Sequence, residues 1–188
     1  SSINKSENSF HDIIQKIMSD KKDKIPQFVN VARLSPEKNQ KVLIEAFAKL
    51  KTTGVEAKLY ILGSGILKEE LETKIIELNL SDSVQLLGHI ENIRNFLPLM
   101  DYFIFPSLYE GQGMALLEAM SVGLLPIVSD IPTSREIVAG GNYGIISESN
   151  DEQGLALAMM KALKKEEFSS FDLESYNKNV INRIKLIL

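Results

Sequence analysis

Residues 102–128 read YFIFPSLYEGQGMALLEAMSVGLLPIV, and this stretch decides the fold. Tyr102-Phe103-Ile104-Phe105 is an unbroken apolar run halted by Pro106. Such a run suits a strand covered on both faces. Residues 114–122 carry apolar side chains at helical spacing and stop at Gly123. Leu125-Pro126-Ile127-Val128 is a second apolar run. Strand, helix and strand in this order form a crossover between parallel strands, and such crossovers are right-handed.

The alternation continues outward in both directions. Upstream lie the strand-like runs Phe28-Val29-Asn30-Val31-Ala32, Lys58-Leu59-Tyr60-Ile61-Leu62 and Val84-Gln85-Leu86-Leu87. Helical spacing at 42–50, 67–78 and 93–100 follows each of them in turn. Downstream, Tyr143-Gly144-Ile145-Ile146 is read as the last strand, with helices expected at 151–164 and 175–188. The expected fold is a Rossmann-like, three-layer α/β/α domain with a parallel sheet of about six strands. Residues 26–188 are assigned to it. Residues 1–25 are read as a leader, with Ile13, Ile14, Ile17 and Met18 at helical spacing and a charged break at Lys21-Lys22-Asp23-Lys24. The start lacks Met, so a piece of a longer chain is expected.

A formal net charge of -4 gives no support to a general role on nucleic acid. The absence of cysteine excludes disulfides, thiolate metal sites and thiol nucleophiles, and permits a reducing compartment. No apolar run approaches the roughly 20 residues that span a bilayer.

Ligands of doubly wound sheets bind outside the carboxyl ends of the strands. After the first strand come Arg33 and Lys38, bracketing a Ser35-Pro36 turn, with Asn39 as a candidate helix cap. Two cations at a strand end suit a diphosphate. Spacing alone favours two solvated surface charges, because Lys and Arg are mostly exposed. After Phe105 come Glu110, Gly111 and Gly113, then a helix starting near Met114 and Ala115 with Glu118 one turn inside it. Free amides at that helix start suit phosphate or sugar oxygens, and each carboxylate can accept from vicinal hydroxyls. A glycine turn beside two solvated glutamates accounts for the same letters. His89 reads as a loop residue, because nothing in the sequence marks a partner to activate it. A cap at Thr133 or Ser134 is expected for the helix after the next strand.

Three blocks in order make the pattern specific: Val31-Ala32-Arg33-Leu34 with Lys38; Leu87-Gly88-His89-Ile90; and Phe105-Pro106-Ser107 with Tyr109-Glu110-Gly111-Gln112-Gly113, leading through Glu118-Ala119-Met120 to Gly123 and Ser129-Asp130. From Val31 to about Leu163 the chain resembles the carboxyl-terminal, nucleotide-sugar-binding domain of family 4 (group 1) GT-B glycosyltransferases. The resemblance implies a retaining, metal-independent transfer of sugar from a nucleoside-diphosphate sugar to an acceptor hydroxyl, in polysaccharide or glycoconjugate synthesis. It implies catalytic roles for Arg33, Lys38 and Glu110. It implies donor contacts from Gly88, His89, Ile90, Gly111, Gly113, Met114, Ala115 and Glu118. No metal ligands and no cofactor beyond the donor substrate are expected. The implied partner is an amino-terminal acceptor domain, without which the chain should bind donor but transfer poorly. A cytoplasmic setting is expected, with peripheral association at the inner membrane face as its variant. Residues 173–188 are amphipathic, as for a helix returning to the partner domain or lying on a membrane surface.

Some positions depart from the pattern. Asn39 stands where Gly is usual, Gln112 where an aromatic is frequent, and Ala115 where Pro is frequent. The last two touch the expected wall of the sugar site and leave the sugar's identity open. A non-catalytic nucleotide-sugar-binding scaffold and another GT-B enzyme, such as a sugar-nucleotide epimerase, are the alternatives.

Overall fold

The computed structural model describes residues 3–164, with side chains from residue 11 onward. Six strands, β1 (Gln27–Val31), β2 (Lys58–Leu62), β3 (Val84–Gly88), β4 (Tyr102–Phe105), β5 (Leu125–Ser129) and β6 (Ile145–Ser147), form one sheet. All its pairings are parallel, in the order β3-β2-β1-β4-β5-β6. This is the doubly wound order, and its direction reverses between β1 and β4.

Successive strand residues point to opposite faces, and both faces are buried. On one face Phe28, Leu59, Ile61, Ile104 and Ile127 join a core with α2 (Gln40–Thr52), α3 (Lys68–Glu77) and α7 (Glu152–Leu163). On the other, Val29, Tyr60, Leu62, Phe103, Phe105 and Val128 pack with α1 (Ile3–Lys22), α4 (Ile93–Phe96), α5 (Met114–Ser121) and α6 (Pro132–Ile137). The three-layer expectation holds.

The first element departs from the sequence reading. Residues read as a leader contain α1, whose Ile17 is fully buried and whose Ile13 and Ile14 pack on the second core. Lys21 reaches Asp101 at 3.2 Å, and the Asp101 carboxylate also accepts the Gln27 amide at 2.8 Å. The helix therefore belongs to the domain's packing, and its apolar stripe is the reason. The expected helix at 175–188 and the amphipathic stretch 173–188 lie outside the described residues.

One strand border positions the site. β1 and β4 share register only at Phe28↔Tyr102 and Val29↔Phe103. The Phe28 and Tyr102 rings stack there with centroids 4.8 Å apart. Above that point the strands part, although β1–β2 pairing runs on to Val31↔Leu62 and β4–β5 pairing to Phe105↔Val128. Asn30, fully buried, spans the gap by donating its side-chain amide to the Ile104 carbonyl at 2.9 Å. A crevice opens directly above.

Candidate functional site

A pocket of about 320 Å³ occupies this crevice. Val31, Ala32 and Phe105 supply its apolar floor, and Lys38, Glu110, Gln112, Gly113, Met114 and Ala115 its rim. A wider hollow of about 500 Å³ lies at the β6 edge, against Gly141, Gly144, Asp151 and Leu157. Size favours the second, but the first has the convergent charges and the switch-point position that ligand sites on such sheets require.

Each rim residue is placed by local chemistry. β1 ends in a turn whose Ser35 and Pro36 start a short 3-10 helix, Pro36–Lys38. Asn39 follows with φ 56°, in the left-handed region. Asn tolerates that conformation and Gly adopts it freely, which is why both suit this position. Asn39 is the N-cap of α2, as the sequence suggests, and it serves through its backbone: its carbonyl accepts the Leu43 amide at 3.3 Å, while its side chain makes no cap bond. Lys38 is thereby turned over the crevice, where its ammonium donates to Glu110 Oε2 at 2.5 Å. The two side chains are only 14% and 19% exposed, so little water screens the pair.

Glu110 is held at other points. Its Oε1 accepts the Gly111 amide at 3.2 Å, and its carbonyl accepts the Thr133 hydroxyl at 2.8 Å. Gly113 then caps α5 with φ 63°, and a Cβ there would sit 2.6 Å from Ile137 Cδ1. The backbone angle is what favours glycine here, since the Ile137 methyl ends a flexible side chain and can shift. The first amide bonded back within α5 is that of Leu117, to Gly113 O at 3.1 Å. The amides of Met114, Ala115 and Leu116 thus lead the helix without intrahelical partners, and they carry the positive end of its dipole.

The other expected residues stand further out. Arg33 is 80% exposed and pairs with Glu37 at 3.3 Å. Glu118, on α5, pairs with Arg94 at 3.7 Å. Neither lines the pocket, so of the four expected charges the structure brings together Lys38 and Glu110. Gly88, with φ 69°, ends β3; His89 is exposed, and Ile90 packs on the second core. These three lie at the far end of the rim from β6, outside the pocket lining.

Two contributors escaped the sequence reading. Glu37 accepts the Ser35 hydroxyl at 2.6 Å. That bond first, then its own backbone amide and the nearby Arg33 and Lys38 charges, hold its carboxyl below the usual range. Its carbonyl also accepts the Leu108 amide at 2.9 Å, tying the β1 loop to the β4 loop. The Ser-Pro-Glu order was the available signal. Thr133 is the second. The expected cap at Thr133 or Ser134 is not made; Ile131 caps α6, with Pro132 in its first turn, and makes no side-chain cap bond. Proline pre-sets the helix start, which frees the Thr133 hydroxyl for Glu110. Arg135, in the same helix, pairs with Asp130.

The strand-end loops are laced across the sheet. Gly63 N donates to Gly88 O at 2.7 Å, Leu34 N to Ser64 O at 2.9 Å, and Asp130 N to Ser147 O at 2.8 Å. With the Leu108–Glu37 and Thr133–Glu110 bonds, every neighbouring pair of loops is joined. The rim is accordingly rigid enough to present charges at fixed spacing.

Residues 10–182 match the family model "Glycosyl transferases group 1". The chain belongs to the group 1 glycosyltransferase family. Among its relatives, this chain is 34% identical over 142 residues to the N-acetylgalactosamine-N,N'-diacetylbacillosaminyl-diphospho-undecaprenol 4-alpha-N-acetylgalactosaminyltransferase of Campylobacter jejuni, covering 75% of this chain and 38% of that protein. It is 30% identical over 184 residues to the UDP-Gal:alpha-D-GlcNAc-diphosphoundecaprenol alpha-1,3-galactosyltransferase of Escherichia coli, covering 94% of this chain and 47% of that one. The chain thus spans less than half the length of these curated relatives. In fold it is similar to the Anabaena HepE crystal structure in complex with UDP and glucose, with TM-score 0.71 and 21% identity, over 86% of this chain and 48% of that one. Among the described residues, no group of three His, Asp or Glu is placed to hold a metal ion. Among them also, no helix is long and apolar enough to cross a membrane.

Proposed function

We propose that the chain is the donor-binding domain of a retaining, metal-independent, family 4 enzyme. It moves a sugar from a nucleoside-diphosphate sugar to an acceptor hydroxyl in polysaccharide or glycoconjugate synthesis. One observation carries this reading: Lys38 and Glu110 meet at the β1/β4 switch point beside the leading amides of α5.

In this reading Lys38, with Arg33 above it, accepts the diphosphate and stabilises the charge that grows as the nucleotide departs. The cations do work that a divalent metal does elsewhere. Glu110 and the α5 amides hold the sugar over the apolar floor. Glu118, beside Arg94 and toward the β3 loop, takes the ribose hydroxyls, and the backbone of Gly88, His89 and Ile90 faces the base. The acceptor comes from a second, amino-terminal domain, in keeping with the chain's share of its relatives' length. The names of relatives concern diphospho-undecaprenol acceptors, colanic acid and amylovoran, which favours a lipid-linked or polysaccharide acceptor at the cytoplasmic membrane face.

The test is thermal stabilisation by a panel of UDP-, GDP- and ADP-sugars. At about 100 times its dissociation constant, the true donor should add about 2.7 kcal/mol. Lys38→Ala and Arg33→Ala should lose most of that gain. Equal stabilisation of parent and both variants would sink the phosphate assignment. Transfer by the full-length enzyme should survive a metal chelator, and the product should keep the donor's anomeric configuration by NMR.

A further inference from the structure

We infer that Thr133 is a positioning residue for Glu110, fixing through α6 where that carboxylate meets the donor sugar. The inference rests on the donor-binding reading above, and it names a residue to which that reading assigns no part.

Glu110 follows β4, whereas Thr133 lies in the first turn of α6, beyond β5. The Thr133 hydroxyl nevertheless donates to the Glu110 carbonyl at 2.8 Å. The other two restraints on Glu110 are weaker guides to its position. The Gly111 amide belongs to the same loop and moves with it. Lys38 is the group that a diphosphate must share, so its bond to Glu110 Oε2 changes as donor binds. The Thr133 bond alone among these three ties Glu110 to another element and is independent of the diphosphate.

The anchor is itself firmly seated. Pro132 sets the first turn of α6, and the Asp130–Arg135 ion pair clamps the chain at its entry. Asp130 N is bonded to Ser147 O on the edge strand at 2.8 Å. Ile137 and Val138 are buried in the second core. The same helix also meets Gly113, whose missing side chain leaves room for Ile137 Cδ1 and Thr133 Cγ2. α6 therefore seats both ends of the 110–113 loop: its carbonyl end by a hydrogen bond, its glycine end by contact. In the row of bonds lacing the strand-end loops, the β4–β5 link is this side-chain hydroxyl, whereas the other four are backbone to backbone. A side-chain link can be removed by substitution, which makes the role testable.

The full chain is titrated by calorimetry with the best-stabilising nucleotide sugar of the panel and with its nucleoside diphosphate. Thr133→Val removes the hydroxyl and keeps the methyl against Gly113. The diphosphate should bind Thr133→Val within about twofold of the parent, because Lys38 is untouched. The nucleotide sugar should bind roughly five- to tenfold more weakly, the range for one lost hydrogen bond. Thr133→Ser should restore parental binding, and Thr133→Ala, which also folds around a small side chain, should repeat the valine result. Equal weakening of both ligands would mark a merely structural role and overturn the inference, as would unchanged binding of both. If the parent binds no member of the panel, the donor-binding reading falls and this inference with it. Parental binding with an indifferent Thr133→Val sinks the inference alone.

Discussion

Gly63 shows how tightly single residues are specified around the rim. Its φ is 134°, and a Cβ would stand 1.8 Å from the Ala32 carbonyl oxygen. Backbone cannot move aside as a flexible side chain can. Gly123 also has a positive φ, of 87°, yet a Cβ there meets nothing within 4 Å. Gly123→Ala should therefore cost only the backbone strain, about 1 kcal/mol. Gly63→Ala should cost several kcal/mol or prevent folding, because strain and a backbone clash add. Urea denaturation of the two variants compares them directly; equal losses would refute the packing argument. In sequence, Gly63-Ser64-Gly65 signals no more than the end of a strand. Its contact with Ala32 is across two strands, and no local pattern encodes that. Lys38 and Glu110 were legible from spacing and resemblance, but their direct pairing was not, since it depends on where β1 and β4 part. The burial of Tyr60 and Tyr102 has its own signature. Burial, with the nearby Asp20 and Asp101 charges respectively, raises both phenols above their ordinary value. Below about pH 10 both states hold the protons and the folded state keeps its full stability. Above it the unfolded chain releases protons that the folded one retains, so stability falls as pH rises. Denaturation at stepped alkaline pH should show this decline, and Tyr60→Phe should make it shallower.

At the scale of elements, the strands were legible where apolar runs are continuous and flanked by Gly or Pro, as in β1, β2, β4 and β5. β6 was misplaced, expected at 143–146 and found at Ile145–Ser147. Gly144 lies against Pro126, with the site of its absent Cβ 2.6 Å from the ring, and the Tyr143 amide is bonded to Val138 O at 3.2 Å. These tertiary contacts hold residues 143 and 144 in the preceding turn. α1 was legible as a stripe of isoleucines but not as part of the core, because residues of the core it joins, such as Phe96, Leu97 and Met100, are more than 70 residues away. Its contribution can be measured. Ile17→Ala should cost about 2–4 kcal/mol, the range for a buried aliphatic truncated to a methyl. Met18→Ala, next in sequence but about half exposed, should stay within about 0.5 kcal/mol. Similar losses at the two sites would mean that α1 is not packed as described.

On the scale of the whole molecule, Lys38 and Glu110 face the crevice at the strand ends, while ion pairs such as Lys49–Glu152 and Lys74–Glu45 lie on the helical layers. A reaction that joins two substrates needs both held in one geometry. On the proposed donor-binding reading, the 188-residue chain should bind donor yet turn it over slowly, and supplying an amino-terminal acceptor domain, joined or separate, should raise the transfer rate by orders of magnitude. Rapid transfer by the 188-residue chain alone would contradict the two-domain reading. The short border between β1 and β4 carries a further consequence. Two half-sheets meet along two register pairs, like book covers sharing a narrow spine; beyond them the Asn30 amide, the Leu108–Glu37 backbone bond and the Lys38–Glu110 pair bridge the gap. Any change in the width of the mouth therefore falls on these three ties, with every rung of the flanking ladders intact.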